Sequence, residues 1–288
     1  MRRAIIDIGT NTVKLLVADV NNGQVLPVVS KDATTRLGEG VDQTQRLSPL
    51  AITRTVETIG HYVADAKELG AGSVAGFTTS AARDAANRDE FLDAVRRACG
   101  LDVQPISGER EAELIFRGVC SDPAWSKERI LVMDVGGGSA EFILGKAGVI
   151  DRQQSLPLGA VRLTERFSNA GFGELAAYLR QTLREALRDY HADTWRMIGT
   201  GGTITTLARI KHDKMDHASL TVGELRALVT SLDAMTLDER KRVPGLPPER
   251  ADIIVAGGAV FLFVMEALGA QELTVSVRNL RYGALLAT

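Results

Sequence analysis

Cysteine and histidine are scarce in this chain of 288 residues, and their scarcity excludes several kinds of site. Only Cys99 and Cys120 are present, without the paired spacing of a zinc site or a disulfide framework, so we expect two reduced core thiols. The four histidines are scattered without ligand spacing, and we assign no metal to any of them: His61, His191, His212 and His217.

An excess of charge of one sign and a long apolar run are missing as well. The 34 Lys and Arg residues against 36 Asp and Glu leave a net charge of −2, so no global basic field indicates a nucleic-acid partner. The longest apolar run, between Asp252 and Glu266, has 13 residues, whereas a membrane-spanning helix needs about 20. Asp7 interrupts the apolar start, unlike a signal peptide. We therefore expect a soluble, cytoplasmic protein with no membrane or nucleic-acid partner.

The most informative feature that is present is an internal repeat. The segment AIIDIGTNTVKLLVA (4–18) aligns without a gap on LVMDVGGGSAEFILG (131–145). The alignment pairs Asp7 with Asp134, Gly9 with Gly136, and Thr12 with Ser139. Each copy opens a series of β-rich and then helical segments, which indicates duplication. The sequence predicts domains at 1–122 and 123–278, with a terminal helix at 279–288 as a candidate to complete the first.

Local patterns predict the elements around the repeat. Strands are expected at 3–8, 12–20 and 24–30, and Asn21-Asn22-Gly23 predicts an antiparallel hairpin between the last two. Residues 211–219 are polar and aperiodic, which predicts a loop before a helix at 221–232.

The two repeated turns have the residue types of a phosphate site. Glycine and small hydroxyl residues expose backbone N–H groups that bind phosphate oxygens. An aspartate at the end of the preceding strand suits Mg²⁺, which prefers carboxylate, water and phosphate oxygens. Either turn alone is equally well interpreted as a simple hairpin. A hairpin has no need of the aspartate, however, so the pair of turns favours phosphate binding.

At this point the sequence resembles the exopolyphosphatase and guanosine pentaphosphate phosphohydrolase family of the actin-like ATPase superfamily. The glycine turns are shared across the superfamily, whereas TTSAARDAANRDEF (78–91) and ISGEREAELIFRGV (106–119) are characteristic of the phosphohydrolases. Further matching segments are RLGEG (36–40), LPLGAVRLTERF (156–167), IGTGGTITTLA (198–208) and VSVRNLRYGAL (275–285). The resemblance implies an α/β fold of two duplicated ribonuclease-H-like domains, with mixed five-stranded sheets, flanking helices and an active site in the interdomain cleft.

The resemblance also implies roles for individual residues. Glu111 is the expected catalytic base that activates water, and Glu141 the second catalytic carboxylate. Asp7, Asp134 and Glu141 are the expected metal ligands, for Mg²⁺ or Mn²⁺. The expected phosphate-binding residues are Gly9, Thr10, Asn11, Thr12, Arg83, Gly136, Gly137, Gly138 and Ser139. A nucleotide-binding alternative involves glycine pairs that resemble those of kinases in this superfamily: Gly201, Gly202, Gly257 and Gly258.

Physical reasoning from the residues alone leaves several of these roles open. Glu111 lies among charged residues, and the composition of this segment favours an exposed helix start over a catalytic base. If Arg83 has no functional role, it is expected to form a surface ion pair with Asp84 or Asp89. Lys14 and Arg36 are further candidate phosphate contacts, and solvent-facing positions are equally plausible for them.

Three functions are therefore carried forward. The first is a hydrolase that releases terminal phosphate from linear polyphosphate or from guanosine pentaphosphate, which the sequence does not separate. The second is a kinase-like ATP transferase, and the third a non-catalytic nucleotide or polyphosphate sensor. The family implies a homodimer. Near the C-terminus, Asn279 and Tyr282 replace the Gly and Glu of the family's usual pattern, and we expect a local change in packing there.

Overall fold

The structure, a computed structural model, describes residues 1–190 and 195–287. His191 therefore lies outside the described residues, as does Thr288. Two compact units divide the chain: the first is Met1–Pro123 with Arg278–Thr288, and the second is Ala124–Val277.

The first unit is a mixed sheet with helices. Its elements are β1 (Arg2–Ile8), β2 (Thr12–Asn21), β3 (Gln24–Thr34), α1 (Val41–Thr44), α2 (Pro49–Glu68), β4 (Val74–Thr78), α3 (Ser80–Asp84), α4 (Arg88–Cys99), β5 (Val103–Pro105) and α5 (Gly108–Cys120). The sheet order is β3-β2-β1-β4-β5. The predicted hairpin is confirmed: β2 and β3 are antiparallel, and Asn22 and Gly23 have the positive φ angles that such a turn requires.

The second unit opens with the same strand series. Its elements are β6 (Arg129–Val135), β7 (Ala140–Lys146), β8 (Val149–Leu156), α6 (Ala160–Arg166), α7 (Phe172–Ala186), β9 (Arg196–Thr200), α8 (Gly201–His212), β10 (Ser219–Thr221), α9 (Val222–Ala234), α10 (Leu237–Arg240), a 3₁₀ turn (Pro248–Arg250), α11 (Ile254–Leu268) and β11 (Glu272–Val275). The sheet order is β10-β11-β9-β6-β7-β8.

The second sheet differs from the expected five strands because β10 adds a sixth. The aperiodic segment at 211–219 is not a loop throughout: α8 continues to His212, and Ser219 already pairs with Thr274 of β11. A three-residue edge strand is too short to show the alternation from which strands are predicted.

Each sheet is packed against helices that bury its apolar side chains. In the second unit, α11 is apolar on nearly all sides and contributes to the hydrophobic core along its whole length. The 13-residue apolar run is thus a buried core helix. Within the described part of the chain, no helix is both long enough and apolar enough to cross a membrane.

The terminal helix α12 (Leu280–Ala287) packs on α5 of the first unit through two glycines. A Cβ atom on Gly118 would overlap the backbone of Asn279, and a Cβ on Gly283 would overlap the backbone of Leu114. The two helix backbones can approach this closely only because both positions lack a side chain.

Asn279 and Tyr282, the two residues that depart from the family's C-terminal pattern, lie next to this contact. The side-chain oxygen of Asn279 accepts a hydrogen bond from the backbone N–H of Arg281 at 3.1 Å. The ring of Tyr282 lies 5.6 Å from the guanidinium carbon of Arg278. The Asn279 side chain therefore organises the start of α12, while the Tyr282 ring is covered by the guanidinium of Arg278.

Candidate active site

The first repeated turn joins β1 to β2 and is held by backbone hydrogen bonds. The N–H of Gly9 donates to the carbonyl of Thr12 at 3.1 Å, which closes the turn. The side chains of Thr10, Asn11 and Thr12 are all buried. The side-chain oxygen of Asn11 has no hydrogen-bond partner among the described residues, so the turn holds a polar atom that a ligand or water can satisfy.

The second turn, between β6 and β7, repeats this geometry. The N–H of Gly136 donates to the carbonyl of Ser139 at 2.9 Å, the bond that matches Gly9 to Thr12 in the first unit. The carbonyls of Gly136 and Gly137 accept from the first backbone amides of α6. Because the carbonyls are turned toward α6, the amides of this turn remain suited to an anion.

Residues opposite the two aspartates differ in charge. Asp7 pairs across the strands with Lys14, and the Lys14 Nζ lies 4.0 Å from the Asp7 Oδ2. Asp134 pairs in the same way with Glu141. The first turn therefore carries an acid beside a base, and the second carries two carboxylates on adjacent strands.

Glu141 is almost completely buried, with 1% of its surface exposed. The hydroxyl of Ser155, its partner on β8, donates to the Glu141 Oε1 at 2.8 Å. A buried carboxylate needs such partners because its removal from water is costly. The structure therefore places Glu141 as a fixed group, with one oxygen oriented by Ser155.

Glu111 is also buried, unlike the acidic residues on either side of it. Glu109 and Glu113 are exposed on the same helix, α5, whereas Glu111 has 8% of its surface exposed. Hydrogen bonds from its own backbone amide and from the Ser107 hydroxyl lower the pKa of Glu109, as expected for an exposed acid in a first helical turn.

Arg83, at the end of α3, connects the first-unit residues. Its Nη1 lies 3.6 Å from the Glu111 Oε2 and donates to the carbonyl of Ile106 at 3.3 Å. Its Nε also lies 3.3 Å from the Asp84 Oδ1, which is the ion pair expected if Arg83 has no functional role. Arg83 thus contacts both Asp84 and the candidate base.

The RLGEG segment supports the first turn. The amides of Thr35 and Arg36 donate to the carbonyl of Asn11 at 3.0 and 2.9 Å, and the amide of Gly38 donates to Thr10 at 2.8 Å. A Cβ on Gly38 would overlap the side chain of Thr10. The backbone of residues 35–38 therefore fixes the turn.

The four glycines of the nucleotide alternative have different surroundings. Gly201 has a positive φ of 89°, and a Cβ there would overlap the Asp134 carboxylate. A Cβ on Gly202 would overlap the Arg250 guanidinium. Gly257 and Gly258 are buried in α11 against side chains of the same unit. Helix packing alone explains why the last two are glycine, and nucleotide binding by this set stays a prediction.

Arg162 and Arg281 were missed by the sequence reasoning. The Nε of Arg162 donates to the carbonyl of Gly138 at 3.0 Å, at the second turn. Arg281 is 8% exposed, and its Nη1 donates to the carbonyl of Leu15 at 2.9 Å and to the Ser30 hydroxyl at 3.2 Å. Burial lowers the pKa of Arg281, while the Asp7 charge acts in the opposite direction. The match of RLTERF to the family was the only available signal for Arg162.

The donor set fits a hard divalent cation. No cluster of three or more His, Cys, Asp or Glu side chains suited to a metal is found in residues 1–190 and 195–287. Mg²⁺ is commonly held by one or two carboxylates together with waters and substrate phosphates. The cross-strand pair of Asp134 and Glu141 provides such a pair.

The duplicated strand–turn–strand units, with their acidic and glycine-rich turns, define an α/β protein of the actin-like ATPase class. A sequence model described as the Ppx/GppA phosphatase family matches residues 16–288. The chain belongs to this family, and the predicted fold class and phosphoanhydride hydrolase activity are confirmed. Phosphatases of the family generally use divalent metal ions.

Individual relatives cover nearly the whole chain. Exopolyphosphatase 1 of Mycobacterium leprae is 34% identical over 301 residues, which span 99% of this chain and 89% of the relative. The crystal structure of an exopolyphosphatase from Cytophaga hutchinsonii has a TM-score of 0.89 and 29% identity, over 99% of this chain and 96% of the other. The Aquifex aeolicus Ppx/GppA family member has a TM-score of 0.83 and 30% identity, over 100% and 97%.

Proposed function

We propose that the protein is an exopolyphosphatase that releases terminal orthophosphate from linear polyphosphate through attack of a carboxylate-activated water. The observation that carries the proposal is the burial of Glu111 beside Arg83, while the acidic residues next to Glu111 on α5 are exposed. The exopolyphosphatase named among the relatives supports the choice of substrate.

Glu111 acts in this proposal as the general base. It accepts a proton from water as the water oxygen forms a bond to the terminal phosphorus and the bridging P–O bond breaks. The products are orthophosphate and a chain shorter by one phosphate. A side-chain base of this kind contributes about 10²–10⁴-fold to a rate.

The remaining residues position and neutralise the substrate. Phosphoryl transfer depends mainly on alignment and on charge stabilisation. We assign phosphate oxygens to the backbone amides of the turns at Gly9–Thr12 and Gly136–Ser139, and to the guanidinium of Arg83. Arg83 also holds Glu111 by the 3.6 Å contact, so it serves both the substrate and the base.

Asp134 and Glu141, with Asp7, are the residues that would hold Mg²⁺ or Mn²⁺. When bound, the cation would neutralise charge on the phosphate oxygens. Ser155 orients Glu141 through its 2.8 Å hydrogen bond, which keeps the second carboxylate fixed for this task.

The test compares two conservative variants on one helix. Purified wild type, Glu111→Gln and Glu113→Gln are incubated with Mg²⁺ and polyphosphate, and released phosphate is measured. We expect Glu111→Gln to lose about 10²-fold or more of the rate, since the amide cannot accept the proton. Glu113→Gln removes an exposed carboxylate that forms an ion pair with Arg110 at 2.8 Å, and should retain nearly full activity.

Parallel reactions with guanosine pentaphosphate and with ATP plus acceptors separate the alternatives. Faster release from guanosine pentaphosphate than from polyphosphate would replace the proposed substrate. Phosphate appearing on an acceptor would favour the kinase-like function. Equal activity of Glu111→Gln and wild type would remove Glu111 from the mechanism.

A further inference from the structure

A groove in the second unit contains none of the residues of the candidate active site. It has a volume of about 400 Å³ and lies along α7, the chain that follows α7, and the second half of α11. This volume falls within the range of about 300–1,000 Å³ for small-molecule sites. Apolar side chains, among them Leu183 and Phe263, form part of its lining.

Three arginines border the groove. Arg180, Arg184 and Arg188 are spaced four residues apart, and all three side chains are exposed. The guanidinium carbon of Arg180 lies 4.6 Å from the centre of the Phe263 ring. Among the residues that the structure describes, no carboxylate forms an ion pair with any of the three arginines.

Among the described residues that line the groove, one is acidic, and it is paired with another arginine. Glu266 is paired with Arg226 at 3.0 Å. The ends of α7 and α11 add partial negative charges of about −0.5 each, which the three positive charges exceed. The groove therefore favours an anion.

Tyr190 adds a second, independent observation. It lines the groove with 2% of its surface exposed, and its hydroxyl has no hydrogen-bond partner among the described residues. Burial raises the pKa of Tyr190 to about 12, so the hydroxyl keeps its proton and remains a donor. Buried polar groups are nearly always satisfied, by protein, water or a ligand.

We propose that this groove is a second ligand site, which binds a nucleoside diphosphate. The phosphates bind the arginines, since guanidinium groups recognise phosphate oxygens with paired hydrogen bonds. The flat base packs on the apolar lining beside Phe263, and a heteroatom of the base accepts the Tyr190 hydrogen bond. Polyphosphate would contact only the arginines. It would leave the apolar surface uncovered and the Tyr190 hydroxyl without a hydrogen-bond partner.

Calorimetric titration of the full chain tests the site independently of catalysis. The probes are ADP and GDP, with adenosine and inorganic pyrophosphate as the two partial ligands. We expect at least one of the two nucleoside diphosphates to bind about tenfold or more tightly than either partial ligand, because base and phosphates contribute together. The double change Arg184→Ala with Arg188→Ala should weaken that binding by about tenfold or more.

Two further variants separate the site from general charge effects. Tyr190→Phe removes only the hydroxyl and should weaken the binding of the nucleoside diphosphate by about threefold to tenfold while leaving pyrophosphate binding unchanged. Arg97→Ala removes an exposed arginine of the first unit and should leave all affinities unchanged.

Four outcomes would overturn the proposal. They are millimolar ADP and GDP that do not bind, binding insensitive to the double arginine change, pyrophosphate that binds as tightly as the nucleoside diphosphate, and nucleoside diphosphate binding insensitive to Tyr190→Phe. Loss of a dimer in the double arginine variant, without any binding of ADP or GDP, would assign the groove to a second copy of the chain.

Discussion

The contact between α5 and α12 provides a prediction in which one substitution has opposite effects at two positions. Gly283→Ala would place a Cβ on the backbone of Leu114, and backbone atoms cannot move aside as a side chain can. Gly60→Ala, in the middle of α2, would place its Cβ 3.7 Å from the Cys99 sulfur, an ordinary van der Waals distance. Both glycines lie in helices of the first unit.

The expected magnitudes come from two opposing effects. Alanine is favoured over glycine inside a helix by about 1 kcal/mol, which acts at both positions. Overpacking costs about 1–3 kcal/mol, and the overlap with backbone at Gly283 favours the upper end. The free energy of unfolding should therefore fall by about 2 kcal/mol in Gly283→Ala and rise by about 0.5–1 kcal/mol in Gly60→Ala.

The assay must report on the first unit alone. Both tryptophans, Trp125 and Trp195, lie in the second unit, so tryptophan fluorescence is insensitive to this change. Native-state hydrogen exchange of amides in α5 measures the local free energy of opening. Faster exchange at Leu114–Val119 in Gly283→Ala, and slower or equal exchange in Gly60→Ala, would agree with the reasoning. Equal protection of α5 in wild type and Gly283→Ala would refute it.

Three further predictions concern pH, capping and metal. Burial, with Asp32 and Asp65, raises the pKa of Tyr62 to about 12, whereas the unfolded chain releases this proton near pH 10. Its contribution to stability is therefore present below about pH 10 and is lost as the pH rises toward 12. Urea unfolding across this range should show a shallower loss in Tyr62→Phe, and equal slopes would contradict the assignment. Thr221→Ala removes the hydroxyl that accepts from the Glu224 amide at 3.2 Å and should destabilise the second unit by about 1 kcal/mol; an unchanged tryptophan-detected midpoint would exclude that role. EDTA should abolish phosphate release, and added Mg²⁺ should restore it without refolding; full activity in EDTA would exclude the metal.

The repeat and its turns could be predicted from the sequence because they depend on local residue types. Asp followed two residues later by Gly occurs in both copies, and the structure gives both turns the same closing hydrogen bond. The extra strand β10 could not be predicted, since its three residues form a strand only by pairing with β11, about 50 residues later in the chain.

The periodicity of apolar residues along α5 predicts the burial of Glu111 from the sequence alone. Leu114, Ile115 and Gly118 follow it at spacings of three, four and seven, which places Glu111 on the buried face of α5. Glu109 and Glu113 fall off that face. Helical periodicity therefore separates the three glutamates without any family match. Arg281 had no comparable signal, because an arginine in a helix is usually exposed and its partners are 266 and 251 residues away.

The two turns share the same closing hydrogen bond but differ in the charge of the residue opposite the aspartate. This difference indicates that one turn is better suited to a cation and the other to an anion. Lys14 lies 4.0 Å from Asp7, so its positive charge competes with a cation for that carboxylate and adds attraction for phosphate. At the corresponding position Glu141 adds a second carboxylate beside Asp134, which strengthens cation binding. Of the three expected metal ligands, Asp134 and Glu141 are therefore the stronger pair. The turn at Gly9–Thr12 is better suited to the anion, since it carries a lysine where the second turn carries a glutamate.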